Sequence, residues 1–186
     1  MVLITASGPE TLPLGAPAPD FDLPATDGVS YSLDSFAEAK AVVLNFTCNH
    51  CPYAKAYEDR YIDLAKVFQD QGVAFLAISA NDVDNYPADS FDNMKILAEA
   101  KGFPFPYLYD ETQATAKAYG AVCTPHLFVL DASRKLVYEG RIDDNWKEPE
   151  NAKAHDLRDT LQAIVHDEPV PNAQTSPMGC SIKWKA

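Results

Sequence analysis

"KAVVLNFTCNHCPYAKAYEDRYIDLAKVFQDQG", residues 40–72, changes its periodicity midway, and two cysteines mark the change. Residues 40–46 form a run of β-branched and apolar side chains, the pattern of a strand buried on both faces. From Pro52 onward, Tyr53, Tyr57, Tyr61, Leu64 and Phe68 recur at helical intervals until Gly72, a residue type that closes helices. Cys48 and Cys51 therefore fall at the join between a buried strand and the start of a helix.

Working outward, "VAFLAISA" (73–80) reads as a second buried strand and "DSFDNMKILAEAKG" (89–102) as a helix with an acidic start and a closing glycine. "FPYLYD" gives a short strand and "ETQATAKAYG" a short helix. "HLFVLD" and "KLVYEGRI" form a strand pair, and "HDLRDTLQAIVHD" is a terminal helix. Upstream, residues 1–35 read as a proline-marked arm and a hairpin turning at Asp27-Gly28. Downstream, residues 168–186 carry three prolines and no amphipathic period, so they read as an extended tail. The order β-α-β-α-β-α-β-β-α predicts a three-layer α/β/α unit with a mixed central sheet and an N-terminal hairpin extension, one domain over residues 1–186. Such sheets gather functional groups beyond the carboxyl ends of their parallel strands, where Cys48 and Cys51 lie.

Composition narrows the function classes. The 186 residues include 15 Lys plus Arg against 27 Asp plus Glu, a net charge of −12, which repels nucleic-acid backbones and anionic membranes. The opening residues MVLITASGPE show neither a basic leader nor a long apolar run, and a cytoplasmic location is expected. Four cysteines are too few for a disulfide scaffold, and a reducing cytosol would keep a purely structural bridge open.

Chemistry is the better reason for a close pair. A helix start offers free N–H groups and partial positive charge, both of which favour thiolate, the nucleophile of disulfide exchange. Cys-x-x-Cys can close into a small disulfide ring and reopen, storing two electrons. His50 between the cysteines would add positive charge when protonated. Half a zinc site has the same spacing, but a second close Cys/His pair is missing. Pro52 suits the first helical position, which makes Cys51 the N-cap and the better stabilised thiolate, with Cys48 in the preceding loop.

The chain resembles a thioredoxin-fold redoxin of the branch that includes the alkyl hydroperoxide reductase/thiol-specific antioxidant (AhpC/TSA) proteins. The resemblance rests on "GAPAPDFDLPATDG", "VVLNF", "FTCNHCPY" and "AYGAVCTPHLFVLD"; with the tail "GCSIKW" it extends to a bacterial subgroup of probable thiol-disulfide isomerases. It implies that Cys48 and Cys51 are the redox pair and that Thr124-Pro125 is a cis-proline dipeptide whose backbone docks an extended substrate segment. In redoxins the first cysteine usually attacks, which reverses the capping argument. The family's peroxidases place a threonine three residues before the attacking cysteine and an arginine on the facing strand. Here Thr47 stands four before Cys51, and Pro125-His126 occupies the place of the arginine, which weighs against peroxidase chemistry.

Three further residues carry two readings each. Cys123 is either a neighbour of the pair or a small buried apolar residue. Cys180 is either a resolving or exchange thiol carried by a tail that folds back, or a packing cysteine. Asn45 either hydrogen-bonds beneath the pair or is a satisfied polar group. In "GRIDDNW" (140–146), Asp143, Asp144 and Trp146 either line a substrate rim or form a polar turn. The expected activity is thiol-disulfide oxidoreduction without a cofactor, acting on protein or low-molecular-weight disulfides and drawing on a thiol reductant such as a thioredoxin system. The rivals are a thiol peroxidase and a non-catalytic binding module with a structural or zinc-bound pair.

Overall fold

The computed structural model describes residues 2–4 and 11–186. In chain order the elements are β1 (Val2–Ile4), β2 (Leu23–Pro24), β3 (Ser30–Tyr31), β4 (Ala41–Thr47), α1 (Pro52–Phe68), β5 (Val73–Ser79), α2 (Phe91–Lys101), β6 (Tyr107–Tyr109), α3 (Ala114–Tyr119), β7 (Cys123–Thr124), β8 (His126–Asp131), β9 (Leu136–Gly140), α4 (Asp156–Val165) and β10 (Met178–Ser181). Strands β6-β5-β4-β8-β9 form a five-stranded mixed sheet. β4 lies at its centre, parallel to β5 from Ala41↔Val73 to Thr47↔Ser79 and antiparallel to β8 from Ala41↔Asp131 to Phe46↔His126.

Successive side chains of a strand point to opposite faces, and β4 buries both. Ala41 and Val43 face a core made with Tyr57, Tyr61, Ile62 and Phe68 of α1, Met94 of α2, and Leu157 and Leu161 of α4. Val42, Leu44 and Phe46 face the opposite core, with Ala116 and Tyr119 of α3 and Phe21, Leu23 and Leu33 of the arm. That is why residues 41–44 read as an unbroken apolar run. Leu44 is fully buried, and cutting it to alanine would cost about 2–5 kcal/mol.

Helix α1 starts where proline lets it and stops where glycine does. Pro52 occupies the first turn, with Cys51 as an extended N-cap (φ −67°, ψ 124°). After a short 3₁₀ turn, Gly72 adopts φ 87°, a left-handed conformation that costs glycine little. The Asp27-Gly28 turn joins β2 and β3, paired Leu23↔Tyr31 and Pro24↔Ser30. Among the described residues no helix is long and apolar enough to cross a membrane.

A second sheet, of order β1-β10-β7, is absent from the sequence reading. Strand β10, within the tail, pairs antiparallel with β1 on one side and with β7 on the other, placing Cys180 opposite Thr124 and Ser181 opposite Cys123. Four residues that include a glycine show no period of their own; only their two partners define the strand. Beyond it the chain stays anchored: Ile182 N–H donates to Val122 O at 3.1 Å, Asp82 N–H to Lys183 O at 2.8 Å, and Lys183 N–H to Asn81 Oδ1 at 2.9 Å.

Candidate active site

The central strand ends at Thr47, and the next four residues turn the chain into α1. This turn carries Cys48 and Cys51 to the carboxyl edge of the sheet, against the cis Thr124–Pro125 peptide. Both cysteines are buried, 1 % and 0 % exposed, and with Ala54 they form a small cluster against which Tyr53 and Cys180 pack. Thr124 reaches both sulfurs: its Oγ1 lies 3.4 Å from Cys48 Sγ, and its carbonyl oxygen 3.1 Å from Cys51 Sγ.

The two thiols divide one ionisation between them. A hydrogen bond with Cys51 is the largest influence holding Cys48 protonated, and burial and the Asp89 carboxylate act in the same direction. Cys51 is lowered to about 4, first by the bond from Cys48. Desolvation opposes that shift, while the Ala54 backbone N–H, Cys180 and Thr124 assist it. In the protonated state Cys51 Sγ donates to Thr124 O; ionisation gives up that bond and gains these donors. The reduced pair is thus a monoanion with its charge on the residue that caps the helix, where the peptide dipoles favour it.

Asp89 holds the turn. Its fully buried carboxylate accepts from Asn49 N–H at 2.8 Å and His50 N–H at 3.1 Å on one oxygen. On the other it meets Asn81 Nδ2 at 2.8 Å and His50 Nδ1 at 2.5 Å. The Tyr107 hydroxyl donates to Asn49 Oδ1 at 2.9 Å. His50, 3.9 Å from Cys48 Sγ, is therefore tied to a carboxylate and stacked on Tyr86, with ring centroids 5.3 Å apart. Sequence reasoning took Asp89 for the acidic start of α2, but the N-cap there is Ser90. The available signal was topological: the loop after β5 emerges beside the loop after β4. Cys48, His50 and Asp89 also bring one potential ligand atom each within 4.8 Å of one another, so a metal would compete with the hydrogen bonds just described.

Cys123 is buried behind Thr124; its sulfur meets Pro125 O at 3.6 Å, and burial pushes its thiol up to about 12. Asn45 lines the same recess as Cys48, Glu58, Tyr61 and Tyr107, and its Oδ1 has no hydrogen-bond partner among the described residues. His126 lies in the core against Glu139, Nε2 to Oε1 3.1 Å. Asp143 and Asp144 hold their loop: Asp143 takes Tyr57 OH at 3.0 Å and Arg60 Nη1 at 2.5 Å, and Asp144 takes Lys153 N–H at 2.8 Å. Trp146 sits 4.5 Å from Tyr53, ring centre to ring centre, and so borders the cysteine cluster at one remove.

Known proteins resemble this chain over most of its length. An uncharacterized conserved protein from Geobacillus kaustophilus is 45 % identical, with a TM-score of 0.87 over 93 % of both chains. A hypothetical protein from Sinorhizobium meliloti is 36 % identical, with a TM-score of 0.88 over 95 % of this chain and 97 % of that one. A thiol-disulfide oxidoreductase, ResA, of Bacillus thuringiensis is 25 % identical over 130 residues, 70 % of either chain. The fold is the thioredoxin fold of the redoxins. The AhpC/TSA family model matches residues 14–139, a span that holds the central strand, both cysteines of the turn and the cis-proline, and the chain belongs to that family.

Proposed function

We propose that Cys48 and Cys51 are the working pair of this thiol-disulfide oxidoreductase. The observation that carries the proposal is the placement of both sulfurs at the head of α1 against Thr124, Cys48 Sγ 3.4 Å from its Oγ1 and Cys51 Sγ 3.1 Å from its carbonyl oxygen, with Cys51 the N-cap whose thiol is lowered to about 4. In the reductive direction, the Cys51 thiolate attacks one sulfur of a substrate disulfide. An S–S bond to that sulfur forms, the substrate's own S–S bond breaks, and the other half leaves as a thiolate that takes up a proton. Cys48 then gives up its proton and attacks Cys51 Sγ, closing Cys48–Cys51 and releasing the second substrate thiol. The pair loses two electrons and the substrate gains them; a thiol reductant resets the pair.

The substrates proposed are protein or low-molecular-weight disulfides, docked in extended form along Thr124. Dithiothreitol-dependent reduction of insulin and of glutathione disulfide tests this, with Cys48→Ser and Cys51→Ser compared with the wild type. Turnover should fall at least about 100-fold in both variants, as expected when a step's nucleophile is removed. Retained turnover would overturn the assignment. So would purified protein carrying one zinc per chain that is lost from either variant, because the pair would then be a metal clip.

A further inference from the structure

We propose that β10 is a built-in substrate strand and that Cys180 is a third redox thiol, forming a disulfide with Cys51. The proposal rests on the Cys48/Cys51 pair being redox-active, and three independent features support it.

The first is register. β10 runs antiparallel to β7 with Cys180 opposite Thr124, the residue whose carbonyl oxygen lies 3.1 Å from Cys51 Sγ. Residues opposite one another in such a ladder have Cα atoms about 4.5–5.5 Å apart, so Cys180 and Cys51 converge on one residue from two elements. Cys180 also packs against the small cluster that Cys48 and Cys51 form with Ala54. The second is fit. A Cβ on Gly179 would lie 2.1 Å from Thr124 O and 2.5 Å from Thr124 C, so the tail backbone lies against the Thr124–Pro125 peptide at a distance only glycine permits. The third is access. Cys48 and Cys51 are buried, whereas Cys180 is half-buried. An extended partner docking beside Thr124 would pair with β7 as β10 does, so β10 occupies that place and a substrate docks there by displacing it.

In the exchange, the Cys180 thiolate attacks Cys51 Sγ of the oxidised pair. The Cys51–Cys180 bond forms, the Cys48–Cys51 bond breaks, and Cys48 leaves as a thiolate that takes the proton Cys180 gave up. No net electrons are transferred; the disulfide moves from the buried turn to the tail, nearer the surface. The reverse step returns it.

Glutathione disulfide buffer, alkylation of free thiols and non-reducing peptide mapping by mass spectrometry test this on the full chain. In Cys48→Ser, and in Cys48→Ala as a second variant in case one fails to fold, the Cys51–Cys180 link should outnumber the glutathione adduct on Cys51. At millimolar glutathione the excess should be roughly 10-fold or more, because the neighbouring thiol has the higher effective concentration. Cys48→Ser/Cys180→Ser should carry the adduct instead. Wild type that links Cys48 to Cys51, together with a folded Cys48 variant that carries glutathione on Cys51 and a freely alkylated Cys180, would overturn this proposal alone. Wild type in which Cys48 and Cys51 never link would overturn the pair and this proposal with it.

Discussion

Replacing Asp89 with alanine deletes the acceptor for two backbone N–H groups and two side chains around the cysteine turn. His50 is partly exposed, and water can serve its ring. Asn49 N–H, His50 N–H and the Asn81 amide lose a partner in or near the buried interior. Each unpaired buried donor costs about 1–3 kcal/mol. The expected loss for Asp89→Ala is about 4 kcal/mol. With a urea dependence of about 2 kcal/mol per molar, the unfolding midpoint should fall by about 2 M. Asp89→Asn keeps the oxygen facing the turn N–H groups and sets an amide against Asn81, so it loses about one charge-assisted bond, about 2 kcal/mol. Both changes also remove a carboxylate that helps keep Cys48 protonated, so iodoacetamide should label the reduced pair faster than in wild type. Urea unfolding followed by fluorescence gives the first number and timed alkylation the second. Midpoints within about 0.3 M of wild type for both variants, an effect well under 1 kcal/mol, would refute Asp89 as the post that holds the turn.

Gly179→Val should push β10 off Thr124, because its first side-chain atom would fall within 2.1 Å of the Thr124 carbonyl oxygen. Labelling of Cys51 should then rise about 10-fold or more, as local opening that costs several kcal/mol is made nearly free, and an unchanged rate would count against the tail as a cover. With Cys51 ionised down to about 4 and Cys48 protonated well above neutrality, reduction takes up one proton per two electrons. The potential should therefore fall by about 30 mV per pH unit between pH 5 and 8, against about 59 mV for two ordinary thiols, as measured in dithiol redox buffers. Stability follows the same titration: the folded thiol ionises at lower pH than the unfolded one. Reduced protein should therefore gain stability as pH rises from about 4 towards the ordinary thiol value of about 8.5, and lose it on the way down. Oxidised protein should lack that slope. Arg60→Ala should loosen the Asp143–Trp146 loop, since Arg60 binds Asp143 Oδ2, Asn145 O at 2.7 Å and Trp146 O at 2.7 Å. A loss of about 3 kcal/mol is expected from that partly buried charge network, with quenched or shifted Trp146 fluorescence as the check.

The central sheet was legible because its strands are buried on both faces and its helices begin and end on proline, serine and glycine. Residues 41–47 and 73–79 advertise themselves through side chains alone, and the N-cap position of Cys51 followed from Pro52. Asp89 was hidden because an aspartate before a helix is ordinary; its partners, Asn49 and His50, lie 40 and 39 residues away in the chain. β10 was hidden for a related reason. A short strand with a glycine in it, enclosed between two other strands, owes its existence to hydrogen bonds with partners at residues 2–4 and 123–124, and no local period records them.

Asn81 joins two parts of the molecule that the chain keeps far apart. Its oxygen receives the backbone N–H of Lys183 and its nitrogen donates to Asp89, so one amide spans the distance between the chain's end and the loop bearing the thiols. A ligand that drew Lys183 away from Asn81 would take one of the two hydrogen bonds of the amide that braces Asp89, and only a ligand favouring one redox state over the other would, by thermodynamic reciprocity, be sensitive to oxidation. Residues 181–183 thus share, through Asn81, the carboxylate that also braces the cysteine turn.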